Sequence, residues 1–153
     1  MVGYLLDTNH VGALSRQDPK VMQKVNSLPA DTQLRACTIT LGEIEAGNRI
    51  TQTTNSQQRN EVTVFVNAKF LPNALPISVS TGAYYAEVIG RIWQRHPPTK
   101  RTRTEFHLVE LGVDINDVWI VAVAWEHGLI LVTSDQMTCI REVVTEVEVQ
   151  CWL

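Results

Sequence analysis

Residues 112–135, GVDINDVWIVAVAWEHGLILVTSD, restrict the possible folds of this chain more than any other stretch. Asn116 and Asp117 read as helix openers, because short polar side chains accept the free amide hydrogens of a first turn. Ile120, Val121, Ala124 and Trp125 then share one helical face, suited to burial against a sheet. Gly128 can adopt the left-handed conformation that ends a helix. Residues 129–133 show no polar alternation, so they read as a strand covered on both faces, running out at Ser134 and Asp135. A helix followed at once by a buried strand is half of a parallel βαβ unit, and parallel sheets place chemistry where their strands end.

The same arrangement opens the chain: residues 2–6 form a short apolar strand that Asp7 terminates before a helix carrying Val11 and Leu14. Pro19 suits the first turn of a second helix, with Val21, Val25 and Leu28 on one face. A second strand is expected over residues 35–39, with Thr40 capping the helix that follows. Glu43 lies three residues after Thr40, the capping-box spacing, so it has both a structural reading and a functional one in which it faces the strand ends. Residues 51–60 are polar throughout and fit a loop or a solvated helix segment, and Val62, Phe65, Val66 and Phe70 return to helical spacing. Ile77 and Val79 suggest a third strand, and Ser80 the start of a helix whose Tyr85, Val88, Ile89, Ile92 and Trp93 face the core. Val147, Val149 and Cys151 alternate with polar residues, as an edge strand does. Strands alternating with helices predict a three-layer α/β domain with a mostly parallel sheet. At 153 residues the chain is expected to form one domain, 1–153, burying roughly two-thirds of its unfolded surface.

Three acids fall at strand ends or a helix entrance: Asp7, Asp117 and Asp135. Carboxylates gathered together repel unless a cation neutralises them. With Glu43, and with Asp114 nearby, they form a set of hard oxygen donors that suits Mg²⁺ or Mn²⁺. Zinc is disfavoured, because His10, His96, His107 and His127 show no ligand spacing with one another or with Cys37, Cys139 and Cys151. GxxxxGK[ST], GxGxxG and GxSxG are all absent, which leaves P-loop hydrolysis, dinucleotide binding and serine-hydrolase chemistry without support. Carboxylates holding one or two divalent ions suit attack on a phosphodiester. Thr8, Asn9 and Ser134 stand beside these acids and could orient them, although Asn9 and Ser134 fit capping and turn formation as well.

The net charge of −3 does not by itself advertise nucleic acid, yet Arg91, Arg95, Lys100, Arg101 and Arg103 form a basic run without an intervening acid. Beside an acidic site, Arg95, Lys100, Arg101 and Arg103 would hold a phosphate backbone that the acids alone repel. An odd number of cysteines without a CxxC pair points to free thiols in a reducing cytoplasm, and no membrane span or signal peptide is expected.

LLDTN at 5–9, TLGEIEAG at 40–47 and NDVWIVAVAWEHGLILVTSD at 116–135 resemble the PIN domain family, specifically the toxin ribonucleases of VapBC toxin–antitoxin pairs. The resemblance implies a Rossmann-like α/β/α sandwich, metal-dependent cleavage of single-stranded RNA, a homodimer, and inhibition by a VapB-like antitoxin. It implies Asp7, Glu43, Asp117 and Asp135 as the catalytic, metal-holding acids. Where relatives often carry a phenylalanine after the fourth acid, this chain has Met137, Thr138 and Cys139, and its basic segment is longer than in many of them. Two other functional readings are a housekeeping RNA-processing nuclease without an antitoxin and a non-catalytic RNA- or protein-binding module; the complete set of four acids argues against the second. A magnesium phosphatase is disfavoured, because the first strand ends in a single aspartate and not Asp-x-Asp.

Overall fold

The computed structural model describes residues 2–50 and 56–153. Its sheet is wholly parallel and runs β2-β1-β3-β4. β1 (Gly3–Leu6) lies between β2 (Gln33–Arg35) and β3 (Ile130–Val132), with β4 (Val149–Gln150) outside β3. The chain therefore leaves β1 toward one edge and returns on its other side. The crevice at the carboxyl ends of β1 and β3 is the switch point where such sheets bind ligands.

The pleat of β1 divides the core in two. Leu5 faces α5 (Val79–Arg95), α7 (Ile115–Glu126) and α8 (Thr138–Val143), where Val88, Ile92, Val118, Val121 and Ile140 are buried. Tyr4 and Leu6 face α1 (Thr8–Ser15), α2 (Pro19–Ser27) and α4 (Ser56–Lys69), packing with Val11, Leu14, Val21, Val66 and Phe70. Two separate apolar clusters with a sheet between them make the three layers expected from the sequence. Pro19 does occupy the first turn of α2, capped by Asp18, and Gly128 ends α7 at φ 60°. No described helix is long and apolar enough to cross a membrane.

Three local expectations are corrected. The second strand is Gln33–Arg35, not residues 35–39, because β1 offers partners only for Gln33, Leu34 and Arg35. Cys37 makes a single bridge to Leu75, and α3 (Thr38–Ile50) begins at once. No strand forms at Ile77 and Val79: Ser78 caps α5, its side chain accepting from the Thr81 amide while the Thr81 hydroxyl accepts from the Ser78 amide. Two apolar residues at alternate positions do not outweigh a complete capping box, and Val79 is left 96% exposed as the first residue of the helix. The helix thus opens before Ser80. Of the polar stretch 51–60, residues 56–60 form the start of α4 and 51–55 lie outside the described residues.

Thr81 is fully buried and also donates to the carboxylate of Glu126, tying α5 to the end of α7. Thr81→Val keeps the shape but removes both bonds, so urea denaturation should show a loss of about 1–2 kcal/mol. Unchanged stability would mean that the tie is idle.

Candidate active site

Asp7 prolongs the ladder beyond β1, its backbone N–H donating to the Val132 carbonyl at 3.0 Å. Its side chain caps α1: Oδ1 accepts from the His10 amide at 2.8 Å and meets His10 Nδ1 at 2.8 Å. Oδ2 is buried and has no partner among the described residues. Across the switch point Asp135 follows β3, its amide donating to the Thr133 hydroxyl at 3.0 Å. Asn9 Nδ2 donates to Ser134 Oγ at 3.4 Å, linking the ends of the two central strands.

Glu43 comes from α3 and does not belong to a capping box. The helix begins at Thr38, so Thr40 lies buried within it, its hydroxyl 3.6 Å from Cys37 Sγ. The Glu43 carboxylate instead receives the Thr8 hydroxyl on Oε2 and Asn116 Nδ2 on Oε1 at 2.7 Å. Nor do Asn116 and Asp117 open α7. Asp114 is its N-cap, accepting from the Asn116 amide at 2.8 Å, and Asp117 stands inside the first turn, where the helix dipole favours an anion.

Asp7, Thr8, Asn9, Glu43, Asp114, Asp117 and Asp135 line one groove of about 840 Å³, with Val113, Ile120, Met137 and Ile140 as apolar wall. Met137 takes a left-handed φ of 46° at the start of α8 and stays buried in the groove wall. The crowding raises proton affinity. Burial first, then Asp114, Asp135, Glu43 and Asp7, push Asp117 up to about 7. Asp135 is raised as well, by burial and then by Asp7, Asp114 and Glu43.

Among the described residues no three His, Cys, Asp or Glu side chains are already gathered in the spacing of a bound ion. The donor set nonetheless fits a hard divalent cation: all ligating atoms are carboxylate oxygens, one of them buried and unpartnered, and burial together with the neighbouring acids raises the proton affinity of Asp117. Asp7 through Oδ2, Glu43, Asp117 and Asp135 would hold such an ion. Asp114 lines the groove but already serves as the helix cap.

A sequence profile of the PIN domain matches residues 4–143, nearly the whole chain. The chain belongs to the PIN domain family. PIN domains are nucleases, and the acid-lined groove lies at the strand ends of this one. No curated protein matches it in sequence. Its fold resembles that of DNA-bound VapBC from Salmonella typhimurium, with a TM-score of 0.70 at 14% identity covering all of both chains. VapBC2 from Rickettsia felis, bound to a promoter DNA fragment, gives 0.69 at 17% identity over 99% of this chain and all of that one. VapBC-5 from Mycobacterium tuberculosis, of the VapBC family of toxin–antitoxin systems, gives 0.62 at 23% identity over 97% and 98%. At these identities the likeness is one of fold.

The basic residues of this PIN domain are not among those that line the groove. Arg95 ends α5, and Lys100, Arg101 and Arg103 are exposed in the connection to α6 (Thr104–Glu110); none of the four lines the groove. Arg91 is engaged elsewhere, paired with Glu87 and Glu146 and lying 4.8 Å above the Trp125 ring. Two contributors escaped the sequence reading. Asn116 read as a capping residue but holds Glu43, and His10 read only as a histidine without zinc spacing although it holds Asp7. The D-x-x-H spacing at a helix start was the available signal for the second.

Proposed function

We propose that this chain is a metal-dependent endoribonuclease that cleaves single-stranded RNA and acts as the toxin of a toxin–antitoxin pair. The observation that carries the reading is the meeting of Asp7, Glu43, Asp117 and Asp135, from four separate parts of the chain, in one groove with a buried Asp7 oxygen left unpartnered. A divalent cation there would act as a Lewis acid, activating water and offsetting charge on the scissile phosphate. The chain's own part is to hold the acids. Thr8 and Asn116 fix both oxygens of Glu43, His10 fixes one oxygen of Asp7, and the first turn of α7 presents Asp117. Val113, Ile120 and Ile140 form an apolar wall beside the acids. Arg95, Lys100, Arg101 and Arg103 are proposed to bind the RNA backbone beyond the groove; all four are exposed, and none is in an ion pair among the described residues. The likeness of fold to VapBC proteins supports a VapB-like antitoxin as partner, and the working state is proposed to be a homodimer.

Purified protein should cut single-stranded RNA with Mg²⁺ or Mn²⁺ and leave it intact with excess chelator, cutting again when the ion is restored. Equal cleavage with and without chelator would contradict metal dependence, and intact RNA under every ion would contradict the nuclease reading.

A further inference from the structure

His10 is wholly buried and both of its ring nitrogens are engaged. The backbone N–H of Trp152 donates to His10 Nε2 at 3.1 Å, so that nitrogen presents its lone pair. Nδ1 then carries the ring hydrogen and donates it to Asp7 Oδ1 at 2.8 Å. The His10 amide donates to the same oxygen, also at 2.8 Å. One residue thus places two donors on one oxygen of Asp7 and none on the other, which fixes the carboxylate's rotation and leaves Oδ2 as the buried oxygen without a partner. The amide bond is the N-cap of α1, which any residue at position 10 would make; the ring bond to the same oxygen is particular to histidine.

The histidine is itself held. The Trp152 ring meets His10 edge-on at 6.4 Å and Tyr4 at 5.2 Å, and its Nε1 donates to Gln150 beside it at 3.1 Å. The segment after β4 is thereby connected to Asp7 through one imidazole.

We propose that His10 is the positioning residue of the acidic site: locked by the Trp152 amide as the Nδ1–H tautomer, it aims Asp7 Oδ2 at the cation. This rests on the reading of Asp7 as a cation-holding carboxylate. Partners that orient a ligand in this way typically change metal affinity by roughly ten- to a hundredfold when lost.

The first test needs no variant. Nitrogen-15 NMR of the wild-type protein near pH 7.5 should show His10 protonated at Nδ1 alone, with and without Mg²⁺; protonation at Nε2, or at both nitrogens, overturns the proposal. The second measures Mn²⁺ binding by calorimetry, with thermal melts to verify folding, for wild type, Asp7→Asn, His10→Asn and His10→Gln. Asparagine keeps an N–H where Nδ1 stands and should bind Mn²⁺ nearly as wild type does. Glutamine can meet the Trp152 amide but abandons Asp7, and should bind roughly ten- to a hundredfold more weakly. Equal affinities in the two His10 variants, whether both strong or both weak, overturn the role. Loss in Asp7→Asn together with wild-type binding in both His10 variants would remove this inference and leave the cation site standing; absence of Mn²⁺ binding in the wild type would remove both.

Discussion

Asp7→Asn and Asp117→Asn should each lower RNA cleavage by about a thousandfold, near 4 kcal/mol of transition-state stabilisation, without unfolding the protein. Asparagine at position 7 keeps an oxygen for the two His10 donors that now meet Oδ1, so the cap of α1 survives, while the Oδ2 position becomes an NH2 group that cannot hold a cation. Asp117 makes no capping bond, that task falling to Asp114, so its amide leaves α7 intact. Cleavage rates at saturating Mg²⁺, with circular dichroism on the same samples, provide the check. A variant that folds and cuts at the wild-type rate would remove its residue from the site.

The same carboxylate should be a liability without metal. Asp117 titrates near 7 in the folded chain against an ordinary value of 3.8, so the folded state binds the extra proton between those limits. Stability then falls as pH rises from about 4 to about 7, and the full penalty applies above that. Asp117→Asn removes it. In chelator at pH 8 the variant should be more stable than wild type by about 1–2 kcal/mol, a figure discounted because the half-exposed group is screened by solvent. That is a rise of a few degrees in Tm for a domain of this size. Near pH 4 the two should melt together, and Mn²⁺ should stabilise wild type far more than the variant. A wild-type protein more stable than Asp117→Asn at pH 8 without metal would contradict the crowding of acids. The pairing is informative because one substitution lowers activity and raises stability, which a general folding defect cannot do.

What could be read from the sequence followed from signals that are local and strong. Residues 129–133 lack polar alternation, and their centre, Ile130–Val132, becomes the largely buried β3; Gly128 ends the helix before it; Asp7 and Asp135 mark the ends of adjacent strands. The misreadings come from side chains whose partners are far along the chain. Asn116 resembles a cap until Glu43, 73 positions away, is seen to accept its amide hydrogen. Glu43 resembles a capping-box residue until Thr8 and Asn116 are found on it. His10 acquires meaning only through Trp152, 142 positions on. Strand limits failed for a related reason, since the length of β2 is set by the partners β1 provides and not by its own residues. The basic run was visible as a charge pattern, but whether it lines the groove depends on how the α5–α6 connection is laid, which charge alone does not encode.

The most direct measurement is the position of a Mn²⁺ ion, found by anomalous scattering from crystals grown or soaked with it. A single site, or an adjacent pair, should lie in the groove, bonded to Asp7 Oδ2 and Asp117, with Glu43 and Asp135 directly or through water. An ion bound elsewhere, or a groove that stays free of Mn²⁺ while the four acids remain apart, would contradict the claim that these carboxylates converge to hold a divalent cation.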